Sequence, residues 1–368
     1  NEKPFEEFLN SFIDIFDSLI LKKTKNKKII LPLSGGLDSR TLAASLIGNK
    51  NVVAYSYEFS NGVEEVKYAK EIAEVCGWDF HSFKIPNGYL WESIEKFSKI
   101  NNCKTELTHP RQIAVIEKVS NLGDIFLSGS MGDLLFDSFS NIRNENQITS
   151  IKNEIIKPGG RELAIDLWKY WTLNNSFDNF FDQKIKILND KINIQNLPSR
   201  MRAFKSIHYV RNWTNINMKF FSSYKETYAP YHDNKICNFV CTIPEKYLRN
   251  RKIQIEYIKK KAPELAKIKW QKYDLDLYNY KKFNSLYLPR RLFRISKRLF
   301  KENFLMYKPL IERNWEIQFC GSNNDRRLKD WLFKNPFLNK IIPDQIIGKY
   351  YYKFKNDDPV KYSHCISM

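Results

Sequence analysis

The order of apolar runs, glycine turns and helical stretches predicts an α/β chain, with a doubly wound parallel sheet followed by a mainly helical C-terminal lobe. Two observations carry the sheet. A short apolar run, Ile29 to Leu33, lies between Lys28 and Ser34-Gly35-Gly36, the pattern of a buried parallel strand entering a tight turn. The same strand-to-glycine-turn pattern returns at Ile125-Phe126-Leu127-Ser128-Gly129-Ser130-Met131-Gly132. A third observation gives the lobe: from about Asn141 the glycine turns stop and helical spacing takes over.

Taken in order, Phe5 to Leu21 place Phe5, Phe8, Leu9, Phe12, Phe16, Leu19 and Ile20 at helical spacing, so an amphipathic helix enters the domain. After the first glycine turn a helix is expected from Thr41 to Gly48, with Leu42, Ala43, Leu46 and Ile47 on its apolar side. Asn51 to Tyr57 reads as the second strand, followed by a turn at Asn61-Gly62 and a helix from Val63 to Cys76 that Gly77 ends. Glu64 and Glu65 open that helix, where acids suit its dipole, and their role is read as structural. Asp79 to Ile85 is the third strand, closed by Pro86-Asn87-Gly88, and Tyr89 to Ile100 and Pro110 to Asn121 are the next helices. Alternation of this kind builds parallel strands with right-handed crossovers. Further on, Leu163 to Leu173, Phe177 to Leu188 and Ala203 to Phe221 read as helices whose aromatic residues form core. Pro158-Gly159-Gly160-Arg161 reads as a linker-like break, since no apolar strand precedes it. The expected division is a sheet domain at 1–140, a helical lobe at 141–280 that completes the site, and a basic, aromatic-rich extension at 281–368.

The first glycine turn carries the clearest chemistry. Gly35 and Gly36 remove the Cβ atoms that would hold an anion off the backbone, so successive N–H groups can converge on it. Ser34 and Ser39 add hydroxyl donors, the following helix adds its N-terminal partial charge, and Asp38 offers a carboxylate for the magnesium that accompanies a nucleotide. The competing reading is a plain strand-turn-helix joint in which Ser and Asp serve only as caps.

Ser34-Gly35-Gly36-Leu37-Asp38-Ser39 resembles the PP-loop of the ATP pyrophosphatases, and Leu37 with Arg40 following resembles their asparagine synthetase-like branch in particular. It is not a Walker A loop, because the Gly-Lys-Ser/Thr ending is missing. The resemblance implies a PP-loop, HUP-like fold that takes ATP and Mg2+, with Leu33 to Ser39 around the nucleotide and backbone groups of Leu33 and Tyr57 at the adenine. The second turn resembles the family signature Ser-Gly-x-Gly-x-Asp-Glu-Leu-Phe-Gly-Gly-Tyr, which implies Ser128 and Gly129 on the ribose side and Asp133 as the second magnesium carboxylate beside Asp38. The family's second Gly falls on Met131, its Glu on Leu134, and its Gly-Gly-Tyr on Asp137, Ser138 and Phe139.

Tyr228-Ala229-Pro230-Tyr231-His232-Asp233 resembles the family's Arg-x-Pro-Phe-Leu-Asp segment, which precedes a helix matched here by Asn234 to Cys241. Asp233 is read as the N-cap of that helix, and His232 as its neighbour. Arg202 and Arg211 stand out upstream, and Arg211 is either a clamp for an anionic substrate or a surface arginine. In the family a later lysine reaches back to the phosphates, and Lys272 is the nearest match, with Lys269 and Lys267 as competitors. A compact ammonium suits the charge that develops as pyrophosphate leaves, which makes Lys272 and Asp38 the candidate catalytic residues.

With 368 residues, 43% hydrophobic, the chain can bury a large core, which excludes a mainly disordered protein. Its net charge of +19 attracts anions such as nucleotides, acidic sugars, nucleic acid or membrane headgroups. The lysines are scattered, so a nucleic-acid partner is open but not favoured. Arg290, Arg291, Arg294, Lys297, Arg298 and Lys301 line one expected basic helix, either a solvated face or a surface for a polyanion, membrane or partner. The six cysteines contain no Cys-x-x-Cys pair, and no signal peptide or spanning apolar run is evident, so reduced thiols in the cytoplasm are expected. Asparagine synthetases carry an N-terminal glutaminase domain with a catalytic cysteine at its start, and nothing like it precedes residue 27, so a separate glutaminase domain or subunit is a candidate partner.

The function the resemblance implies is an ATP-dependent, amide-forming ligase. A small-molecule carboxylate is adenylated with release of pyrophosphate, and the acyl group passes to ammonia or an amine. Two alternatives stay open: a tRNA-modifying PP-loop enzyme, and an ATP-binding scaffold that has lost chemistry at Met131 and Leu134.

Overall fold

The structure is a computed structural model that describes residues 3–59, 64–104, 111–137, 147–281, 292, 296 and 319–367. The chain forms two compact units, each assembled from separate stretches: Asn1–Pro86, Val115–Ser138 and Phe221–Glu312 in the first, Asn87–Ala114, Phe139–Phe220 and Arg313–Met368 in the second.

The first unit holds a parallel sheet of five strands: β1 Ile29–Pro32, β2 Val52–Phe59, β3 Asp79–Ile85, β4 Ile125–Leu127 and β5 Glu226–Tyr228. Their order is β3-β2-β1-β4-β5. β1 is central, with Ile29 in register with Val52 on one side and Ile125 on the other, and Ile29, Ile30 and Leu31 are fully buried. A strand covered on both faces must read as an unbroken apolar run, which is what made β1 visible in the sequence. The Lys28 N–H donates to Asp124 Oδ2 at 2.8 Å and seats β4 beside β1. From β1 the chain winds outward to β2 and β3 and then returns to β4 and β5 on the other side, so the direction of winding reverses between β1 and β4. Ligand crevices of open parallel sheets lie at that reversal, beyond the carboxyl ends of the strands.

Beneath the crevice the helix Phe5–Thr24 lays Phe12 and Phe16 into an aromatic cluster. Phe12 meets Phe136 at 5.1 Å and Tyr257 at 5.2 Å between ring centroids, and Phe16 meets Tyr231 at 5.4 Å. The burial of these rings fixes the helix that carries Tyr257 and, one turn earlier, Gln254.

Several elements differ from the sequence expectation. The helix after the first glycine turn spans Leu37–Ser45, so Leu37, Asp38, Ser39 and Arg40 are helical rather than part of a loop that precedes a helix start at Thr41. β2 runs two residues past Tyr57, to Phe59, and the following helix spans Glu65–Cys76. The helix expected from Tyr89 spans Ile94–Asn101. The stretch before β4 is a 3-10 turn, Arg111–Ala114, and a short helix, Ile116–Ser120. β5 was not expected, because three residues are too few to display a strand period. Asn61-Gly62, Pro110, Asn141 and nearly all of the basic stretch from Arg290 to Lys301 lie outside the described residues.

The second unit is helical. Helices Gln147–Ile155, Phe177–Asn189 and Leu197–Phe204 close on a core of Ile151, Ile185, Ile192, Met201 and Phe204. Pro158-Gly159-Gly160 is not a break but the first turn of the helix Pro158–Tyr170, where proline at the start forgoes an N–H that had no intrahelical partner. The long helix expected from Ala203 is α-helical only to Phe204, π-helical over Lys205–Thr214 and α-helical again over Asn215–Ser222. Among the described residues no helix is long and apolar enough to cross a membrane.

Candidate active site

The first glycine turn and the second lie side by side because β1 and β4 are neighbours. In the first, Leu33 N–H donates to the Tyr55 carbonyl at 2.8 Å as the strand ends. Ser34 and Ser39 then close the turn on themselves: Ser34 N–H donates to Ser39 Oγ at 3.1 Å, the two hydroxyls lie 3.1 Å apart, and Gly36 N–H donates to Ser34 Oγ at 3.2 Å. Gly36 is the N-cap of the helix Leu37–Ser45, and no side chain caps it. The first N–H groups of an α-helix have no intrahelical acceptor, so this end can receive an anion.

The second turn reaches into the first. A Cβ on Gly132 would stand 2.2 Å from Asp38 Oδ1, and one on Gly129 3.1 Å from Asp38 Cβ, so glycine at these places is what lets the two turns meet. Ser128 is buried, and its N–H donates to Tyr228 of β5 at 2.9 Å. Met131, at the family's glycine position, adopts a left-handed conformation with φ 79°. Asp133 is exposed, and its Oδ1 accepts from the N–H of Leu134 at 2.9 Å.

Asp38 is the most heavily engaged residue of the site. Its Oδ1 accepts from Arg251 Nη2, in an ion pair, and from Gln254 Nε2 at 3.0 Å, while its backbone carbonyl accepts from the Tyr231 hydroxyl at 3.3 Å. Gln254 Nε2 also donates to that hydroxyl at 3.1 Å. Burial pushes the Asp38 carboxyl above its ordinary value against the pull of Arg251, and the charge of Asp133 pushes the same way as burial. Asp133 and Asp38 therefore share one electrostatic neighbourhood.

Behind the turn, Arg40 is fully buried. Its Nη1 donates to the carbonyl of Ile268 at 2.8 Å and its Nη2 to that of Lys269 at 2.8 Å, with longer contacts to Leu265 and Gly35. Loss of hydration lowers its pKa to about 10, which leaves it charged at neutral pH. The clasp brings the segment after residue 265 onto the loop: Gln271 N–H donates to the Gly35 carbonyl at 3.3 Å, and Gln271 Nε2 to Glu65 Oε1 at 3.1 Å.

Lys272 follows Gln271 but is exposed, with Nζ 5.4 Å from the ring centre of Tyr273 and 5.9 Å from that of Trp270. The structure does not bring its ammonium into contact with Asp38. Its competitors are engaged elsewhere, Lys267 with Glu264 at 2.8 Å and Lys269 with Asp274 at 3.3 Å. Tyr57 is half-buried in β2, paired with Phe83 of β3. Asp233 caps the helix Asn234–Thr242 by accepting from the N–H of Lys235 at 2.9 Å. Arg202 and Arg211 belong to the helical unit, and Arg211 is exposed. Sequence reading missed Arg251, Gln254 and Gln271; the one available signal was the Ile253, Ile255, Ile258 spacing, which buries one side of the helix Lys252–Lys261.

The donor set fits magnesium. Among the described residues no three acidic, histidine or cysteine side chains cluster as a self-sufficient metal cage. Magnesium does not need one, since it binds through one or two carboxylates with phosphate oxygens and water. Both donors to the Asp38 carboxylate fall on Oδ1, so Oδ2 makes no hydrogen bond to a described residue, and Asp133 is solvent-facing nearby.

A search of curated proteins finds no match to this sequence. Among solved structures, the chain is similar to the NMN synthetase from Francisella tularensis, at 12% identity over 57% of this chain and 97% of that one, with a TM-score of 0.29. The asparagine synthase family model matches residues 24–264, which takes in both glycine turns, β5, Arg251 and the helix that follows it and carries Gln254 to Asp38. The chain belongs to the asparagine synthase family, PP-loop synthetases that use ATP.

Proposed function

We propose that this protein is an ATP-dependent amide-forming ligase. A substrate carboxylate oxygen attacks the α-phosphorus of ATP, the bond from that phosphorus to the β-bridging oxygen breaks, and pyrophosphate leaves. The nitrogen of ammonia or an amine then attacks the acyl carbon, AMP leaves with the bonding pair, and the nitrogen loses a proton to solvent.

The observation that carries this reading is the meeting of the two turns at the sheet's reversal, with an uncapped helix N-terminus on one and Asp38 and Asp133 close together. In the reaction the N–H groups at the start of the helix Leu37–Ser45 and the hydroxyls of Ser34 and Ser39 hold the pyrophosphate. Leu33 and Tyr57 offer backbone groups to the adenine, and Ser128 and Gly129 face the ribose. Asp38 and Asp133 would hold Mg2+, which when bound neutralises charge on the phosphates. Lys272, which bears no carboxylate partner among the described residues, swings from its aromatic neighbours to the leaving group. Holding both reactants together supplies much of the acceleration.

The test is magnesium-dependent pyrophosphate release from ATP, screened with pooled carboxylic acids and ammonia. Release that requires one acid and falls about 10²-fold or more in Asp38→Asn supports the ligase. Met131 favours a second reading, since a left-handed methionine stands where the family has glycine. A scaffold of that kind binds ATP and releases no pyrophosphate with any acid.

A further inference from the structure

Asp38 is already neutralised from within the chain. Arg251 is the cation in hydrogen-bond contact with its carboxylate among the described residues, and it takes the same oxygen as Gln254. The arginine is held there from several directions. Its Nε donates to Gln254 Oε1 at 2.8 Å, so one side chain of the helix Lys252–Lys261 orients both donors. Asn250 and Arg251 are both left-handed, at φ 56° and 61°, a conformation that residues with a Cβ rarely adopt and that here turns the guanidinium into the site. Only 11% of its side chain is exposed.

A guanidinium and a divalent cation repel each other, and a carboxylate that is already paired attracts a metal less than a bare one. Granting the reading above, in which Asp38 serves the magnesium of the nucleotide, we propose that Arg251 is a built-in counter-cation that competes with the divalent cation for Asp38. Magnesium nucleotide takes Oδ2, and the hold of the guanidinium on Oδ1 weakens as it binds. Until magnesium arrives Arg251 holds Oδ1 and closes the carboxylate to stray cations, and it sets the magnesium concentration at which the site loads.

The experiment is calorimetric binding of α,β-methylene-ATP, which cannot be cleaved at the reacting bond, over a series of magnesium concentrations. It is run on the full chain and on Arg251→Gln and Arg251→Lys, with thermal melts to establish folding. Arg251→Gln is expected to lower the half-saturating magnesium concentration about tenfold, the size of one hydrogen bond to a charged group. Arg251→Lys, which keeps the charge without the planar fork, is expected to lower it about threefold, and it carries the test alone should Arg251→Gln fail to fold. An unchanged half-point in the folded variants overturns the competition, and a raised one assigns Arg251 to the nucleotide's phosphates instead. If the unaltered chain binds the nucleotide at no magnesium concentration, the functional reading itself fails, and this inference with it.

Discussion

The chain contains two glycine pairs, Gly35-Gly36 and Gly159-Gly160, and the structure uses them differently. In each pair one member makes room for a distant segment. A Cβ on Gly35 would stand 2.7 Å from Gln271 Cβ, and one on Gly159 would stand 2.3 Å from the Lys361 carbonyl oxygen. Close approach therefore does not distinguish them. What differs is the setting: neither helix has a side-chain cap, but Gly36 ends a turn out of a buried strand and stands before its helix, whereas Gly159 and Gly160 already lie inside a helix that Pro158 begins. On the function proposed above, a glycine pair serves an anion when a strand delivers it to an open helix end, and otherwise serves packing.

Three substitutions sharpen that contrast, starting with the largest effect. Gly132→Ala puts a carbon on the Asp38 carboxylate, which Arg251 and Gln254 pin in place. Asp38 must turn away, and pyrophosphate release is expected to fall about 10²-fold while the melting temperature drops by only a few degrees. Gly159→Ala meets a backbone carbonyl that cannot swing aside, so it is expected to cost about 1–3 kcal/mol in chemical denaturation and to leave nucleotide binding unchanged. Gly160 has nothing within 4 Å of its Cβ position, so Gly160→Ala is expected to stabilise by about 0.5–1 kcal/mol through helix propensity. Opposite signs at adjacent residues would mark this pair as a packed helix turn; equal losses would break the comparison.

A smaller, pH-dependent effect probes the same helix. Glu162 is gripped by Lys353 at 2.7 Å, Lys361 at 2.6 Å and the Tyr362 hydroxyl at 2.9 Å, and these partners, Lys353 first, lower its pKa to about 2. A depressed carboxylate stabilises the fold above its ordinary value of 4.5 and loses that contribution as pH falls through about 2. With a third of the carboxylate side chain exposed, solvent screening limits the gap between the unaltered chain and Glu162→Gln to about 0.5 kcal/mol at neutral pH. Paired melts across pH should see the gap close below about pH 2; a gap that persists there would assign the loss to packing.

Much of the sheet was legible because its signals are local. β1 was visible as an apolar run, β3 between its turn residues, and the Asp233 cap from one side chain ahead of a helical period. The surroundings of Asp38 were not, since Arg251 comes 213 residues later and reaches it through two left-handed residues that are not glycine. No spacing rule encodes such a pairing. Lysine abundance left Lys267 and Lys269 as competitors to Lys272, and among the described residues the acids beside the first two, Glu264 and Asp274, set them apart from it. The start of the helix at Leu37 was missed because Ser-Gly-Gly-Leu-Asp-Ser carries turn chemistry on both sides of the boundary.

The Arg40 clasp has a consequence for how the protein is made. Its acceptors lie 225 to 229 residues further along the chain, except for Gly35. A ribosome delivers β1 and the loop long before those carbonyls exist, and a guanidinium without them cannot enter an apolar core at modest cost. The nascent N-terminal strands must wait with that charge in water, so the first glycine turn is among the last parts of the unit to set. A chain released before residue 269 keeps a solvent-seeking cation where its core should close.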